Sequence, residues 1–191
     1  IYLREWQGQW VKSEDSLVYR YTDANVVSAV AHHEHDFEYV LGIDLGYEDA
    51  TAFIVGCFAR TSPDFYIIDA QKQTHLLPSE IAERIRDYNE TYNFTSIVAD
   101  TGGLGKSIVE EFRQRHMLPI RAAEKRNKAA YIELFNSDLA DNRIKVVEGS
   151  KIFAEWDLLQ WTDDRRKECD RFANHLADAA LYAWRESRHY G

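Results

Sequence analysis

The feature that most constrains the fold is a set of three β-rich segments separated only by short turn-like stretches. The segments are YVLGID at 39–44, TAFIVGCFA at 51–59 and FYIIDAQ at 65–71. Connections this short join neighbouring antiparallel strands, whereas parallel strands need a longer crossover. The pattern therefore predicts a three-stranded antiparallel meander that begins at residue 39.

Helix and strand patterns alternate after this meander. They predict helices over 78–92, 103–116, 127–141, 151–161 and 174–187, and strands over 95–100, 118–122 and 141–149. This order predicts an α/β protein with a mixed central sheet, three antiparallel strands and then parallel ones, flanked by helices. It resembles the order of the ribonuclease H-like fold, in which the first strand is central and the fourth lies parallel beside it.

The first 38 residues differ from the rest because they mix Trp, Tyr and charge without a long period. We interpret residues 1–38 as a linker or packing arm cut from a larger protein, and residues 39–191 as the folded domain. The HHEH run at 32–35 is a weak candidate for a transition-metal site, and a polar linker is the simpler interpretation.

Composition narrows the class of protein. The chain has 191 residues, 45% of them hydrophobic, which is typical of a globular domain with a full core. No apolar run reaches the 18 residues or so of a membrane span. Cys57 and Cys169 lack metal-type spacing and are interpreted as reduced packing residues of an intracellular protein. The net charge of −9 argues against a surface that grips nucleic acid by charge alone.

Three aspartates occupy positions where a carboxylate is poorly solvated. Asp44 and Asp100 each end an apolar strand pattern, and Asp178 lies in the apolar last helix. The predicted strand order places Asp44 and Asp100 side by side at one sheet edge, with the last helix bringing Asp178 against them. The alternative is that they are ordinary strand-end and helix-surface aspartates.

Three carboxylates at one point repel one another unless a cation lies among them. Ligands that are all oxygen select Mg²⁺ or Mn²⁺, and two such ions about 3.5–4 Å apart can hold a phosphodiester for hydrolysis. Asp44 is predicted to bridge the two ions because its strand is central. Asp100 is predicted to hold one ion and Asp178 the other.

Two neighbouring residues have open roles. Asp49 lies in the turn after Asp44, where it would bind a metal or its water, or cap the turn. His175 shares a helix face with Asp178. It would contact substrate or orient the Asp178 carboxylate, or bond the backbone as a helix-start histidine.

The run DTGGLGKS at 100–107 is close to a phosphate-binding P-loop, but Asp100 stands where that motif requires glycine. The glycines fit better as a thin loop that lets a large ligand approach the metal. Lys106, near a helix N-terminus, would then touch a DNA phosphate, or it is an ordinary exposed lysine.

A basic segment, RAAEKRNK at 121–128, follows a strand expected to lie beside that of Asp100. It is a candidate DNA-backbone contact or a solvated charged face. Its basic residues are Arg121, Lys125, Arg126 and Lys128.

With these motifs the chain resembles the C-terminal nuclease domain of the large terminase subunit of tailed bacteriophages. The likeness runs from REWQGQW at 4–10, similar to the segment that follows an upstream ATPase domain, through three metal motifs. These motifs are GIDLGYEDATA with Asp44 and Asp49, VADTGGLGKSIVEEF with Asp100, and NHLADAALYAW with Asp178. Asn174 departs from the family, which often has an acid before this histidine.

The resemblance implies a metal-dependent endonuclease that cuts concatemeric viral double-stranded DNA during genome packaging. Its implied partners are the ATPase domain of the same polypeptide, the portal and the small terminase subunit. Its implied location is the host cytoplasm, docked at the procapsid portal. The alternatives are a Holliday-junction resolvase or transposase-type nuclease of the same fold, and a packaging adaptor whose site has decayed. A sugar-kinase fragment is excluded because that fold needs a second such domain.

Overall fold

A seven-stranded mixed sheet forms the centre of the computed structural model, which describes residues 16–30, 36–46, 50–101, 105–164 and 167–187. The strand order across the sheet is β1-β7-β4-β3-β2-β5-β6. The strands are β1 (Val26–Val27), β2 (Phe37–Asp44), β3 (Ala50–Ala59), β4 (Phe65–Thr74), β5 (Ser96–Asp100), β6 (Ile120–Ala122) and β7 (Ile144–Val147).

The predicted meander and the parallel strands beside it are confirmed. β2 pairs with β3 and β3 with β4, both antiparallel. β5 lies parallel to β2, and β6 lies parallel to β5 on its other side. β7 runs parallel to β4 and β1 parallel to β7, so within the described sheet only β3 runs against the other strands. This is the mixed sheet of a ribonuclease H-like fold.

Five helices of the described chain flank the sheet. They are α1 (Pro78–Tyr92), α2 (Gly105–Gln114), α3 (Lys128–Ala140), α4 (Ile152–Trp156) and α5 (His175–Arg185). None of the described helices has the length and apolar composition needed to cross a membrane.

The helix predicted over 151–161 is too long at its C-terminal end. α4 stops at Trp156, and the residues after Asp157 run on to isolated β-bridges of Gln160 with Leu17 and of Trp161 with Glu168. The amide of Val18 donates to the carbonyl of Leu159 at 3.0 Å. Leu17 and Val18 are distant in sequence, so the apolar pattern of 151–161 gives no sign of these contacts.

Part of the N-terminal segment packs into the core. Leu17, Val18 and Tyr19 are buried, and the Tyr19 ring lies 5.4 Å from that of Trp156. β1 follows and adds an outer strand beside β7 that the sequence analysis did not predict. The division of the chain at residue 38 stays a prediction.

Apolar side chains fill the space on both faces of the sheet. On one face the sheet packs with α3, α4 and α5 around the rings of Trp156 and Trp184. On the other face it packs with α1 and α2 around Phe53 and Phe112. Successive residues of a strand point to opposite faces, so Val40, Gly42 and Asp44 share the face that carries α5.

Gly42 allows α5 to lie unusually close to the central strand. A Cβ at this position would stand 2.1 Å from the carbonyl oxygen of Ala179 and 2.8 Å from the Cβ of Ala183. No other residue type fits this contact without a shift of the helix or the strand. The glycine two residues before Asp44 therefore brings the helix of Asp178 against the end of β2.

Candidate metal centre

Asp44 and Asp100 lie side by side, as the predicted strand order requires. Each is the last residue of its strand, and the two are direct partners in the parallel register of β2 and β5. The amide of Leu45 donates to the carbonyl of Asp100 at 2.9 Å, which holds the two strand ends together. Both carboxylates therefore leave the sheet at one point of its edge.

Helix α5 contributes the third carboxylate and reaches both of the others. Asp178 lies in its first turn and is only 8% exposed, and Asp100 is only 6% exposed. His175 contacts Asp44, with 2.9 Å between Nδ1 and Oδ2. One turn after Asp178, the Tyr182 hydroxyl donates to Oδ2 of Asp100 at 3.1 Å. A single helix thus orients the side chains at the ends of both strands.

His175 contacts the carboxylate of Asp44 across the site. Burial raises the pKa of Asp44, while the hydrogen bond from His175 acts in the opposite direction. The sequence suggested orientation of the Asp178 carboxylate, whereas the contact seen here is with Asp44, and the role of His175 stays a prediction.

Two lysines of the predicted basic segment turn inward to the carboxylates. Lys125 forms an ion pair with Asp100. The Nζ of Lys128 lies 2.6 Å from Oδ1 and 2.8 Å from Oδ2 of Asp178. The same ammonium also pairs with Glu168. Each of the three predicted ligands thus has a basic group of the protein as its partner.

Glu168 is a fourth carboxylate of the site, and the sequence analysis did not identify it. Asn174 links it to the predicted set, because its Nδ2 donates to Glu168 Oε2 at 3.2 Å and to Asp178 Oδ2 at 3.4 Å. In the sequence, Glu168 lies in the segment TDDRRKECDR, which mixes acids and bases. No pattern there separates it from its charged neighbours.

The pair of Asp178 and Glu168 is not fully satisfied within the described chain. Oδ1 of Asp178 touches the Lys128 ammonium but accepts no well-aligned hydrogen bond, and Oε1 of Glu168 is buried with no hydrogen-bond partner. Burial raises the pKa of Asp178 to about 7, repulsion from Glu168 adds to the rise, and Lys128 opposes it. Buried acceptors of this kind are rare and favour a missing cation or water.

The charges lead to the same interpretation. Four carboxylates face two lysine ammonium groups, which leaves two negative charges when all four carboxylates are ionised and His175 is neutral. Among the described residues, however, no group of three or more His, Cys, Asp or Glu side chains is arranged to hold a metal ion. The donor set has the chemistry for a hard divalent ion, but lysines hold its carboxylates in the arrangement seen here.

Glu155 anchors the N-terminus of α5. Its Oε2 accepts hydrogen bonds from the amides of Leu176 at 2.7 Å and Ala177 at 3.0 Å, and its Oε1 accepts one from Lys72 Nζ at 2.8 Å. The side chain of Glu155 is 3% exposed. An anion at a helix N-terminus satisfies amides that have no partner within the helix. Glu155 thereby fixes the turn that presents His175 and Asp178.

The other predicted residues are placed less completely. Asp49 and the HHEH run at 32–35 lie outside the described residues, as does the side chain of Lys106. Arg121 pairs with Glu186 and Ser96 near the start of β5. Arg126 pairs with Glu124, and its side chain is 87% exposed. The DNA contacts of this segment stay a prediction.

Residues 41–187 match the model of a family described as the terminase RNaseH-like domain. The matched range contains Asp44, Asp100 and Asp178. A search of curated proteins found no match.

Solved structures of phage terminases share this fold. The large terminase of a thermophilic bacteriophage is 18% identical with a TM-score of 0.75, over 92% of this chain and 45% of that chain. The P22 large terminase nuclease domain is 14% identical with a TM-score of 0.71, over 88% of this chain and 90% of that one. The nuclease domain of the large terminase of bacteriophage SPP1, g2p, was solved with bound Mn. It is 20% identical with a TM-score of 0.60, over 86% of this chain and 90% of that one.

The chain thus spans about half the length of the thermophilic phage's large terminase and nearly all of the two isolated nuclease domains. At these identities the structures establish a common fold, and the family match covers most of the chain. The chain therefore belongs to the terminase RNaseH-like domain family.

Proposed function

We propose that this chain is a divalent-metal-dependent endonuclease that cuts concatemeric viral double-stranded DNA during genome packaging. The observation that carries the proposal is the register of Asp44 with Asp100 at the ends of adjacent parallel strands, with α5, the helix of Asp178, packed against β2. Asp44, Asp100 and Asp178 would be the ligands of two ions, Mg²⁺ or Mn²⁺.

The donor set and the relatives support a divalent ion. Carboxylate oxygens suit Mg²⁺ and Mn²⁺, and with its four carboxylates ionised the site has two negative charges more than its lysines balance. The SPP1 nuclease domain was solved with bound Mn, and the large terminase nuclease of phage G20c with bound zinc and with bound cobalt.

The residues of the chain would have distinct roles in phosphodiester hydrolysis. Bound divalent ions would supply an activated water and stabilise the leaving 3′ oxygen, so that cleavage leaves 5′ phosphates. Asp44, at the end of the central strand, would bridge the ions, with Asp100 and Asp178 on either side. His175 and Tyr182 would hold Asp44 and Asp100 in position through their hydrogen bonds. Asp49 would bind a metal-bound water.

DNA would meet the site through basic groups near its rim. The exposed guanidinium of Arg126 follows β6 beside the strand of Asp100, where it can contact a phosphate. Arg121, Lys125, Lys128 and Lys106 are further candidates for backbone contact. Most affinity for DNA would come from elsewhere, since the chain has a net charge of −9.

The partners follow from the packaging role. They would be an ATPase domain of the same polypeptide, the portal and the small terminase subunit. The nuclease would act in the host cytoplasm while docked at the procapsid portal.

Nicking of supercoiled plasmid with Mn²⁺ or Mg²⁺ tests the proposed activity. We expect the wild type to nick the plasmid and Asp44→Asn to lose at least about a hundredfold in rate, because an ion loses its bridging charge. Asp87→Asn, which removes the same charge from an exposed position of α1, should keep the wild-type rate. No nicking by the wild type, or equal nicking by Asp44→Asn, would overturn the assignment.

A competition with four-way junctions separates the packaging nuclease from a resolvase. A packaging nuclease should cut linear duplex and junction DNA at similar rates. Strong preference for the junction would favour the resolvase instead.

A further inference from the structure

Glu168 and Asp178 share a single lysine ammonium. Lys128 Nζ lies 2.6 Å from Asp178 Oδ1 and forms an ion pair with Glu168, and both carboxylate side chains are only 11% exposed. Asn174 Nδ2 donates to an oxygen of each. The two carboxylates are therefore held together around one positive charge.

One ammonium does not satisfy this pair. Two carboxylates around one lysine leave one negative charge, and Asp44 and Asp100 lie at the adjoining strand ends. Asp178 is nine-tenths buried, yet its Oδ1 accepts no hydrogen bond, and neither does Oε1 of Glu168. Oε1 of Glu168 is buried without a donor, and Oδ1 of Asp178 meets an ammonium that it shares with Glu168, so a cation of higher charge would be bound here more favourably than an ammonium.

The placement of Lys128 depends on its own segment rather than on the carboxylates alone. Lys128 is the first residue of α3, and Asn127 before it has the left-handed conformation with a φ of 58°. Arg185 of α5 donates to the carbonyl of Glu124, and its guanidinium stacks on the Tyr131 ring at 3.5 Å. Lys125 and the start of α3 at Lys128 thus lie in a segment that is tied to the helix that carries Asp178.

Glu168, in contrast, reaches the site from a loop. It is fixed there by the bridge to Trp161 and by Asn174, the residue directly before α5. A hydrogen bond from the amide of Cys169 to the carbonyl of Gln160, at 2.7 Å, holds the same bridge. The carboxylate is thus presented by local structure rather than by a chance rotamer of an exposed side chain.

From this geometry we infer that Glu168 is a fourth carboxylate ligand of the metal centre, and that Lys128 is an internal cation that a metal ion must displace from Asp178 and Glu168. The inference rests on the proposed function, since it assigns residues to the same centre. On metal binding the ammonium leaves the two carboxylates, and its charge becomes available to the phosphate of the substrate. In the absence of metal, Lys128 would reduce the repulsion between Asp178 and Glu168 and so stabilise the folded site.

Direct measurement of Mn²⁺ binding tests this inference without a nuclease assay. Free Mn²⁺ is followed by electron paramagnetic resonance during titration of the full 191-residue chain and of its variants. Glu168→Gln removes the proposed ligand, and Lys128→Met removes the competing ammonium while keeping much of its apolar stem. Two charge-matched controls lie away from the site: Glu133→Gln, whose partner is Arg20, and Lys151→Met, whose partner is Gln71. Circular dichroism checks that every variant is folded.

We expect Glu168→Gln to weaken Mn²⁺ binding at least tenfold and Lys128→Met to tighten it about tenfold, with both controls at the wild-type value. Binding by Lys128→Met alone, without binding by the wild type, would also support the inference. Wild-type affinity of Glu168→Gln would overturn it, as would a Lys128→Met affinity no tighter than wild type. If those results accompany weakened binding by Asp44→Asn and Asp178→Asn, only the inference fails. If no variant binds Mn²⁺, the proposed function fails with it.

Discussion

Two clusters built around buried carboxylates lie near the N-terminus of α5. One is Glu155 with Lys72, and the other is Asp178 and Glu168 with Lys128. They differ in how many of their carboxylate oxygens accept hydrogen bonds. One oxygen of Glu155 accepts hydrogen bonds from two backbone amides, and the other accepts one from the ammonium of Lys72. Asp178 and Glu168 share one lysine, and each keeps an oxygen without a hydrogen bond. A cluster with every acceptor used stabilises the fold, whereas one with unused acceptors and excess charge is built for something that binds.

The comparison predicts that Glu155 matters most for stability. Glu155→Ala should lower the free energy of unfolding by about 3–5 kcal/mol, because it leaves buried amides of α5 without an acceptor and Lys72 without its partner. Urea denaturation measures the change. Glu133→Ala, which breaks an exposed ion pair with Arg20, should cost less than about 1 kcal/mol. A similar small loss for Glu155→Ala would mean that its cluster is not structural.

The second prediction concerns the contact between Gly42 of β2 and α5, which positions the N-terminus of α5 near both clusters. Gly42→Ala forces a methyl group against the Ala179 carbonyl, so it should cost about 3 kcal/mol, at the upper end for overpacking. The shift of α5 should also weaken Mn²⁺ binding. Urea denaturation of this variant measures the loss of stability, and Mn²⁺ titration measures the loss of metal binding. The control is Glu90→Ala, at an exposed position of α1. Unchanged stability would show that α5 is free to move away from β2.

Most of the fold could be predicted from the sequence because it depends on local signals. Short connections defined the meander of β2, β3 and β4, and helical periodicity defined α1 and α5. Asp44, Asp100 and Asp178 stood out because each follows or interrupts an apolar pattern. Strand order then placed the first two in register, which is the arrangement found.

The remainder depends on contacts between distant residues. β1 has two residues, and its partner β7 lies about 120 residues later, so no local pattern marks it. Glu168 is one acid in a segment of mixed charge, and its contacts with Lys128 and Asn174 are what distinguish it. The inward turn of Lys125 and Lys128 is invisible for the same reason, since a basic run equally predicts an exposed face.

Bound metal should stabilise the folded protein through the cluster of Asp178 and Glu168, and not through that of Glu155. At ten times its dissociation constant, Mn²⁺ should raise the wild-type free energy of unfolding by about 1.4 kcal/mol. Asp178→Asn should lose most of this gain, because the ion loses a ligand. A variant at the other cluster, Glu155→Gln, should keep it, because the Gln side-chain oxygen can still accept from the α5 amides that hold Asp178 in place. Thermal unfolding with and without Mn²⁺ measures the gain. An equal loss in both variants would contradict the distinction between the clusters.

The smallest effect concerns pH in the absence of metal. The pKa of Asp178 rises from 3.8 to about 7 on folding, chiefly through burial, so the folded state holds a proton that the unfolded state has released between these values. The stability of the metal-free wild type should therefore fall as pH rises through this window. Asp178→Asn cannot release that proton, so its slope should be flatter and its stability at pH 7 higher by about 1 kcal/mol. The raised pKa of Asp44 acts in the same direction, so part of the pH dependence of stability should remain in Asp178→Asn.

Urea denaturation in the presence of a metal chelator, at pH 5 and at pH 7, measures this change in stability, with Asp87→Asn as control. If Asp178→Asn keeps the wild-type slope, then Lys128 already satisfies Asp178, and the site has no need of a further cation.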